Sequence, residues 1–375
     1  MPGLDEFKLL AKFAPYQLYR FAMDWDEQYH SSWRAVKEWE KREPRSLDGV
    51  LNAYAYVIPL IRHRRTLNVH GIQRIHQECS IALATQYCPA GVFRTHYVVI
   101  GITQATASDD GLRALVALNK AQGYLRHCSG LPVEASADEL VLALNLKLTT
   151  YPGYFCLATF NAGFTTEALD VLTDTNNLDQ HSDLKIDYKN AIIQAIEKAL
   201  NLFNRELVAA QDDNQQLFAI AKVVQRLEHI HPFYDCNCRV FCMVVLNTLL
   251  MQNGFSPALI DDPNKFDAYS IQELVALIQV GMQRTKTLCD FILEENKHPT
   301  HHDPDDVTDD VTDVDSWMHV HPTQRGSLSL YASKLTNLLN PLSVHGRPFF
   351  KGNQQQSNST CRLNPSVGYG PGPKR

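Results

Sequence analysis

A chain of 375 residues with 45% hydrophobic and 20% charged side chains has ordinary globular proportions, with enough apolar surface for a core that offsets its ordering entropy. A formal charge of -6 and an isoelectric point near 6.2 supply no basic field. The cluster Arg62-His63-Arg64-Arg65 is too short for a nucleic-acid groove, so nucleic acid is not an expected partner. The longest strongly apolar stretch, 240–251, is interrupted by Asn247 and falls short of the ~20 residues that span a bilayer, so no transmembrane segment is expected. Nine cysteines, an odd count without framework spacing, read as reduced thiols. Asp5, Glu6, Lys8 and Lys12 break up the N-terminus, so no classical signal peptide is expected there.

In chain order, Ser46 is placed to cap a helix whose apolar positions Val50, Tyr54, Val57, Leu60 and Ile61 recur at helical spacing. A second helix over about 68–84 would lie antiparallel to it. Pro89-Ala-Gly-Val-Phe-Arg-Thr-His-Tyr-Val-Val-Ile-Gly101 sets a turn signal before a β-branched and aromatic run, the pattern of a short strand or hairpin. Over about 104–185 the reading is a broken, mostly helical subdomain, with helices started by Ala107-Ser-Asp-Asp and Ser136-Ala-Asp-Glu and a loop at Tyr151-Pro-Gly-Tyr-Phe. Helices follow over 188–207 and 217–227, the second running straight into His231. The apolar segment 240–252 reads as a central core helix ended by Gly254, and Ser270 caps a helix over 273–295. Beyond His298 the chain turns acidic and then Gln-, Asn-, Gly- and Pro-rich, so apart from a helix near 327–339 the tail is expected to be disordered.

The chemistry concentrates in His231-Pro-Phe-Tyr-Asp-Cys-Asn-Cys-Arg239. Within nine positions it holds a base (His231), a metal-binding carboxylate (Asp235), an amide (Asn237) and a phosphate fork (Arg239), the parts of a phosphoryl-transfer site. The helix that follows aims its free N–H groups back at the loop and makes an anion site of its own. The bland reading is a satisfied core histidine followed by a helix N-cap.

The segment resembles the Fic motif, His-Pro-Phe-x-Asp-Gly-Asn-Gly-Arg, with cysteine at both glycine positions. Gly91-Val-Phe-Arg94-Thr resembles the family's Gly-x-x-Arg flap signature. Arg42-Glu-Pro44, Arg74-Ile-His76, Leu249-Leu-Met-Gln-x-Gly254 and Pro263-Asn-x-Phe-Asp-x-Tyr-Ser270 are similar to stretches of its phosphocholine-transferring branch. The resemblance implies a mainly α fold over about 46–298: the Fic helical bundle with a short β-hairpin flap and the helical insertion. An N-terminal helical segment (1–45) and the low-complexity tail (299–375) flank it.

The same resemblance implies roles. His231 is the general base, suited by an ordinary imidazole pKa of ~6.5. Asp235 holds Mg²⁺, while Asn237, Arg239 and the loop N–H groups at Cys236 and Cys238 stabilise phosphate charge. Phe233 anchors the loop from beneath. The flap from Arg94 to Ile100 docks the target by strand addition. Glu228 and Asp267 recognise the choline of a CDP-choline donor, and Phe266 and Tyr269 flank Asp267 to offer aromatic faces. The implied partner is a protein substrate, a small GTPase of the Rab type, met in a host cytosol by a soluble, secreted bacterial effector.

Three departures keep other readings open. If position 238 is left-handed, a Cβ there costs roughly 1–2 kcal/mol, and a thiol facing the phosphate would leave a catalytically degenerate binding module. Cys242 stands where the adenylylating members carry a second arginine, which argues against ATP, although nucleotidyl transfer (AMPylation) remains the alternative. A zinc site built on Cys236, Cys238 and Cys242 lacks a second Cys/His pair nearby in sequence.

Overall fold

In the computed structural model the described residues are 21–24, 39, 41–81, 88–95, 99–120, 136–150, 155–158 and 188–297, and they are mainly helical. All of them belong to Met1–Asn340, one of two units into which the chain divides, the other being Pro341–Arg375. The expected tail beyond His298, with its helix near 327–339, lies outside the described residues.

Helix α1 (Ser46–Arg62) and helix α2 (Val69–Ser80) pack against each other. They approach so closely that a Cβ on Gly49 would overlap the Cys79 carbonyl. Asn68 caps α2 by accepting the Gly71 N–H at 2.8 Å, as short polar side chains do at this position. Ser46 does not cap α1 as expected: its hydroxyl accepts the Trp39 indole N–H at 2.8 Å, and the N-cap is a left-handed Arg45 without a side-chain cap. Helix α5 (Tyr188–Ala209) and helix α6 (Asp213–Ile230) pack together, and helix α8 (Ile271–Lys297) lies against α6.

At the centre the predicted core helix is divided. It opens as a π-helical turn, Arg239–Val245, and continues as helix α7 (Leu246–Gln252). A widened turn of this kind is frequent beside functional sites. Its buried amide, Asn247, is satisfied on both sides: Nδ2 donates to Tyr54 Oη at 2.9 Å, and Oδ1 accepts the Ala258 N–H at 2.7 Å. A buried amide is tolerated because its bonds are made.

The insertion contributes helix α3 (Asp109–Lys120) and helix α4 (Ala137–Thr150), which bury Leu112, Leu115, Val116, Leu140, Val141, Leu144 and Leu148 around Ile102 and Ala268. The hairpin expected before Gly101 is not what the described residues show. The strand β1 (Val99–Ile102), which carries Ile100, pairs antiparallel with β2 (Phe155–Ala158) from the far end of the insertion, with Ile100 opposite Leu157. The insertion therefore leans on the segment around Ala268. Ser108 N–H donates to Ala268 O at 3.2 Å, the Ser108 hydroxyl donates to Glu273 Oε2 at 2.6 Å, and the start of α3 touches residue 268 across Gly111.

A Cβ at Gly111 would overlap the Ala268 carbonyl, so Gly111→Ala must push the insertion off the 267–270 segment. Urea denaturation should show a loss of roughly 1–3 kcal/mol, the usual cost of overpacking a closed contact. An unchanged midpoint would mean that the insertion does not brace this segment.

Candidate active site

The site begins with a backbone conformation. Helix α6 ends at His231, whose φ of 45° and ψ of 57° are left-handed and whose N–H returns to Glu228 O (2.9 Å) and Leu227 O (3.3 Å). Glycine usually closes a helix this way, and a Cβ there costs about 1–2 kcal/mol. The strain is held by Arg94, 1% exposed. Its Nε donates to His231 O at 2.7 Å, its Nη2 to Ile230 O at 3.2 Å, and its own N–H to Pro232 O at 2.9 Å. Arg94 was expected in the target-docking flap; its side chain is buried, on the last carbonyls of a helix that attract cations.

Beneath the loop Phe233 is fully buried. It stacks on His76 with centroids 3.7 Å apart and rings 7° from parallel, and Phe93 and Phe241 flank it. His76, a residue the sequence reading did not single out as part of the site, accepts the Gly91 N–H on Nδ1 (2.8 Å) and so carries its proton on Nε2, 3.2 Å from Asp235 O. Burial pushes its pKa down to about 4, against the weaker opposing pull of its bond to Asp235 O. Asn237 accepts the Phe233 N–H and donates to the Phe233 carbonyl, both at 3.0 Å. Its amide oxygen and one of its two N–H groups are thus spent on closing the loop, a use beyond the expected phosphate contact.

The two cysteines differ in backbone conformation. Cys236, not Cys238, is left-handed, at φ 64°; Cys238 has ordinary helical angles, φ -57° and ψ -45°. Burial raises the Cys236 thiol to about 11. The Cys242 thiol hydrogen-bonded to Cys238 pulls the Cys238 pKa down, but burial and the Glu228, Asp267 and Asp24 carboxylates outweigh it and push it up to about 12. At neutral pH both are uncharged and put no negative charge against a phosphate. The Cys236 N–H is already given to Asp235 Oδ1 at 2.6 Å.

A cavity of ≈ 320 Å³ opens over the loop. It gathers His231, Asp235, Asn237, Cys236, Cys238 and Arg239 with Glu228 and Asp267, and the N-terminal residues Asp24, Trp39 and Glu43 complete its wall. Among the described residues five carboxylates therefore face one guanidinium. Arg239 is paired with Glu43 at 2.6 Å and lies 3.8 Å from Asp235. Asp24 is raised to about 7, first by burial and then by Asp262. Such a cavity favours a ligand with a cationic part.

Glu228 and Asp267 are 2% and 6% exposed. Glu228 Oε1 is 3.4 Å from His231 Nδ1 without the alignment of a hydrogen bond, and Glu228 Oε2 takes a weak bond from the Cys242 thiol at 3.8 Å. Asp267 Oδ1 is buried and finds no hydrogen-bond partner among the described residues. Burial and the neighbouring Glu228 and Asp262 raise its pKa well above the usual carboxylate value. Helix α6 holds this segment from one side: Gln225 Nε2 donates to Phe266 O (3.2 Å) and Tyr269 O (2.8 Å), and His229 Nε2 lies 2.8 Å from Asp267 O. The aromatic faces expected beside Asp267 point elsewhere. Phe266 is fully buried in the core and Tyr269 lies under Lys265, 5.6 Å from its ring centroid. Ile100 lies in β1, outside the residues that line the cavity.

Among the described residues no group of three or more His, Cys, Asp or Glu side chains is arranged to hold a metal ion. Asp235 stands as one carboxylate, 64% exposed. That fits an ion such as Mg²⁺ only where substrate phosphates and water supply most of its ligands. His76, Asp24, Glu43, Gln225 and His229 escaped the sequence reading because only the fold carries them to the loop. The local signals were His76, within the Arg74-Ile-His76 stretch, and Glu43, within Arg42-Glu-Pro44.

No family model matches the chain. It is 28% identical over 316 residues to the phosphocholine transferase AnkX of Legionella pneumophila, an alignment that covers 80% of this chain and 31% of that protein. The chain thus spans about a third of the length of the curated relative it matches. It is a distant relative of a transferase.

His76 makes the loop acid-sensitive. With a folded pKa near 4 against 6.5, the unfolded chain binds the proton first, so the contribution of His76 is complete above pH 6.5 and is lost as pH falls toward 4. His229, also lowered, first by burial, acts in the same sense. Asp267, raised, acts in the opposite one and costs stability as pH climbs from 3.8. Urea midpoints from pH 7 to 4.5 should fall in the wild type, with up to about 3 kcal/mol due to His76, and should fall less in His76→Asn. Equal slopes would show that this histidine is not held neutral.

Proposed function

We propose that the chain is a Fic-type transferase that moves phosphocholine from CDP-choline to a hydroxyl side chain of a target protein. The observation that carries this reading is the convergence of the buried Glu228 and Asp267 carboxylates on the cavity that also contains His231. Kinship to a phosphocholine transferase over 80% of the chain supports it.

In this reading the acceptor oxygen attacks the phosphorus that bears choline. A new O–P bond forms, the P–O bond to CMP breaks, and CMP leaves with the electron pair. His231 takes the acceptor proton on Nε2, with Glu228 beside Nδ1 to orient the imidazole and stabilise its charge. Arg239 exchanges Glu43 for the departing phosphate. A Mg²⁺ held by Asp235 would neutralise pyrophosphate charge when bound. Asn237, Phe233, His76 and Arg94 keep the loop in shape.

ATP suits the cavity less well. Its polyphosphate would face Asp24, Glu43, Glu228, Asp235 and Asp267 with one arginine to meet it, and position 242 holds a buried thiol. The neutral thiols and the helical backbone at Cys238 weigh against a degenerate module. By kinship to an effector branch, the target is a small GTPase of the Rab type, met as a secreted protein in a host cytosol.

Incubation with CDP-choline and a panel of Rab proteins should add the mass of phosphocholine to one of them. His231→Ala should slow this by roughly 10²–10⁴-fold with donor affinity kept. Labelling from ATP in place of CDP-choline, lost in the same variant, would replace phosphocholine transfer with AMPylation.

A further inference from the structure

We propose that the donor subsite at Asp267 is built for an ammonium that still carries N–H groups, so the protein binds a cytidine-diphosphate-linked primary amine of the ethanolamine type more tightly than its trimethylated counterpart. This rests on the transfer reading above for the nucleotide half of the donor and goes beyond it for the headgroup.

The first observation is the unmet acceptor. Asp267 is 6% exposed, lines the cavity, and has an Oδ1 with no hydrogen-bond partner among the described residues. A buried acceptor without a donor is costly, and an N–H supplied by a ligand recovers that cost where a methyl group does not. Among the described residues the charged and thiol groups that act on Asp267 supply no strong donor. Glu228 on α6 and Asp262 ahead of the 3₁₀ turn Pro263–Phe266 are carboxylates, and Cys238 and Cys242 on the π turn are thiols. The Cys242 thiol is turned to Glu228, and His229 meets the Asp267 carbonyl and not its carboxyl group.

The second observation is what a trimethylammonium would need. Such a cation has no hydrogen to donate, so beside the carboxylate charge it is held by aromatic faces. The described aromatic residues lining the cavity are Trp39 and Tyr234. Trp39 is 6% exposed and already carries the Arg42 guanidinium 4.8 Å from its ring centroid. Tyr234 is tied by its hydroxyl to Thr95, 2.9 Å from both its N–H and Oγ1. Phe266 and Tyr269 are committed to the core and to Lys265. Among the described residues the subsite thus has acceptors in excess and aromatic faces in short supply, which suits a primary ammonium whose three donors reach Asp267 and Glu228 together.

The experiment is calorimetric titration of the full chain with CDP-ethanolamine, its mono- and dimethyl analogues, CDP-choline and CDP. Affinity should fall with each added methyl group, by roughly tenfold across the series. In Asp267→Asn, which keeps the shape but loses the charge, the spread should shrink to about threefold or less. CDP-choline binding as tightly as CDP-ethanolamine, and both more tightly than CDP, overturns this inference and leaves phosphocholine transfer standing. Neither donor surpassing CDP overturns both. The methyl series on the wild type decides the matter even if Asp267→Asn does not fold.

Discussion

The site depends on one buried cation closing one helix. The last carbonyls of α6 have no intrahelical partner, and the chain turns left-handed there at a histidine, not a glycine. Arg94 supplies the compensation: its guanidinium binds the Ile230 and His231 carbonyls and its N–H binds Pro232. Without that clasp a β-carbon-bearing residue has little reason to stay at φ 45°. With it, His231 is fixed at the mouth of the cavity and Phe233 drops into the core, where His76 and Phe93 close on its ring. Three separate stretches, α2, 88–95 and the loop, are thereby locked to one another.

A second constraint runs against stability. Asp267 is buried beside Glu228 with an oxygen left unpaired, an arrangement that folding alone would not favour. Gln225 and His229 grip the carbonyls of its segment from α6, and the insertion packs on the Ala268 carbonyl. The surrounding structure thus over-determines a strained electrostatic feature, as functional sites commonly do. The insertion matters here for what it holds, since the Gly111 contact falls one residue from the carboxylate.

Much of the helical framework was legible in the sequence because it follows from periodicity and caps. Asn68 and the Ser270–Glu273 and Ser136–Glu139 capping boxes start their helices where the pattern places them. Local sequence could not reveal which loop residue turns left-handed. Gly at two motif positions suggests two candidates, and the burden falls on Cys236 and His231 while Cys238 stays helical. The destination of Ser46, Arg94 and Asn237 was equally hidden, since each is polar and each satisfies a backbone or indole group met only after folding. Asp24 and Trp39 reach the cavity from positions no motif marks, and Glu43 from the Arg42-Glu-Pro44 stretch, whose spacing alone does not place it there.

The charges of the cavity are also arranged by position. Arg239 and the loop lie with Glu43 and Asp235, and the Glu228–Asp267 pair lies with His231. A ligand that is anionic at one end and cationic at the other can meet both groups: its phosphate replaces Glu43 on Arg239, and its ammonium answers the buried pair. A purely anionic ligand gains only the first exchange and faces the remaining carboxylates unscreened, at the higher field strength of a partly enclosed site. The same pair that weakens the fold therefore favours a cationic ligand part, and in the proposed transfer the carboxylate against His231 Nδ1 would tie recognition of the headgroup to the orientation of the base.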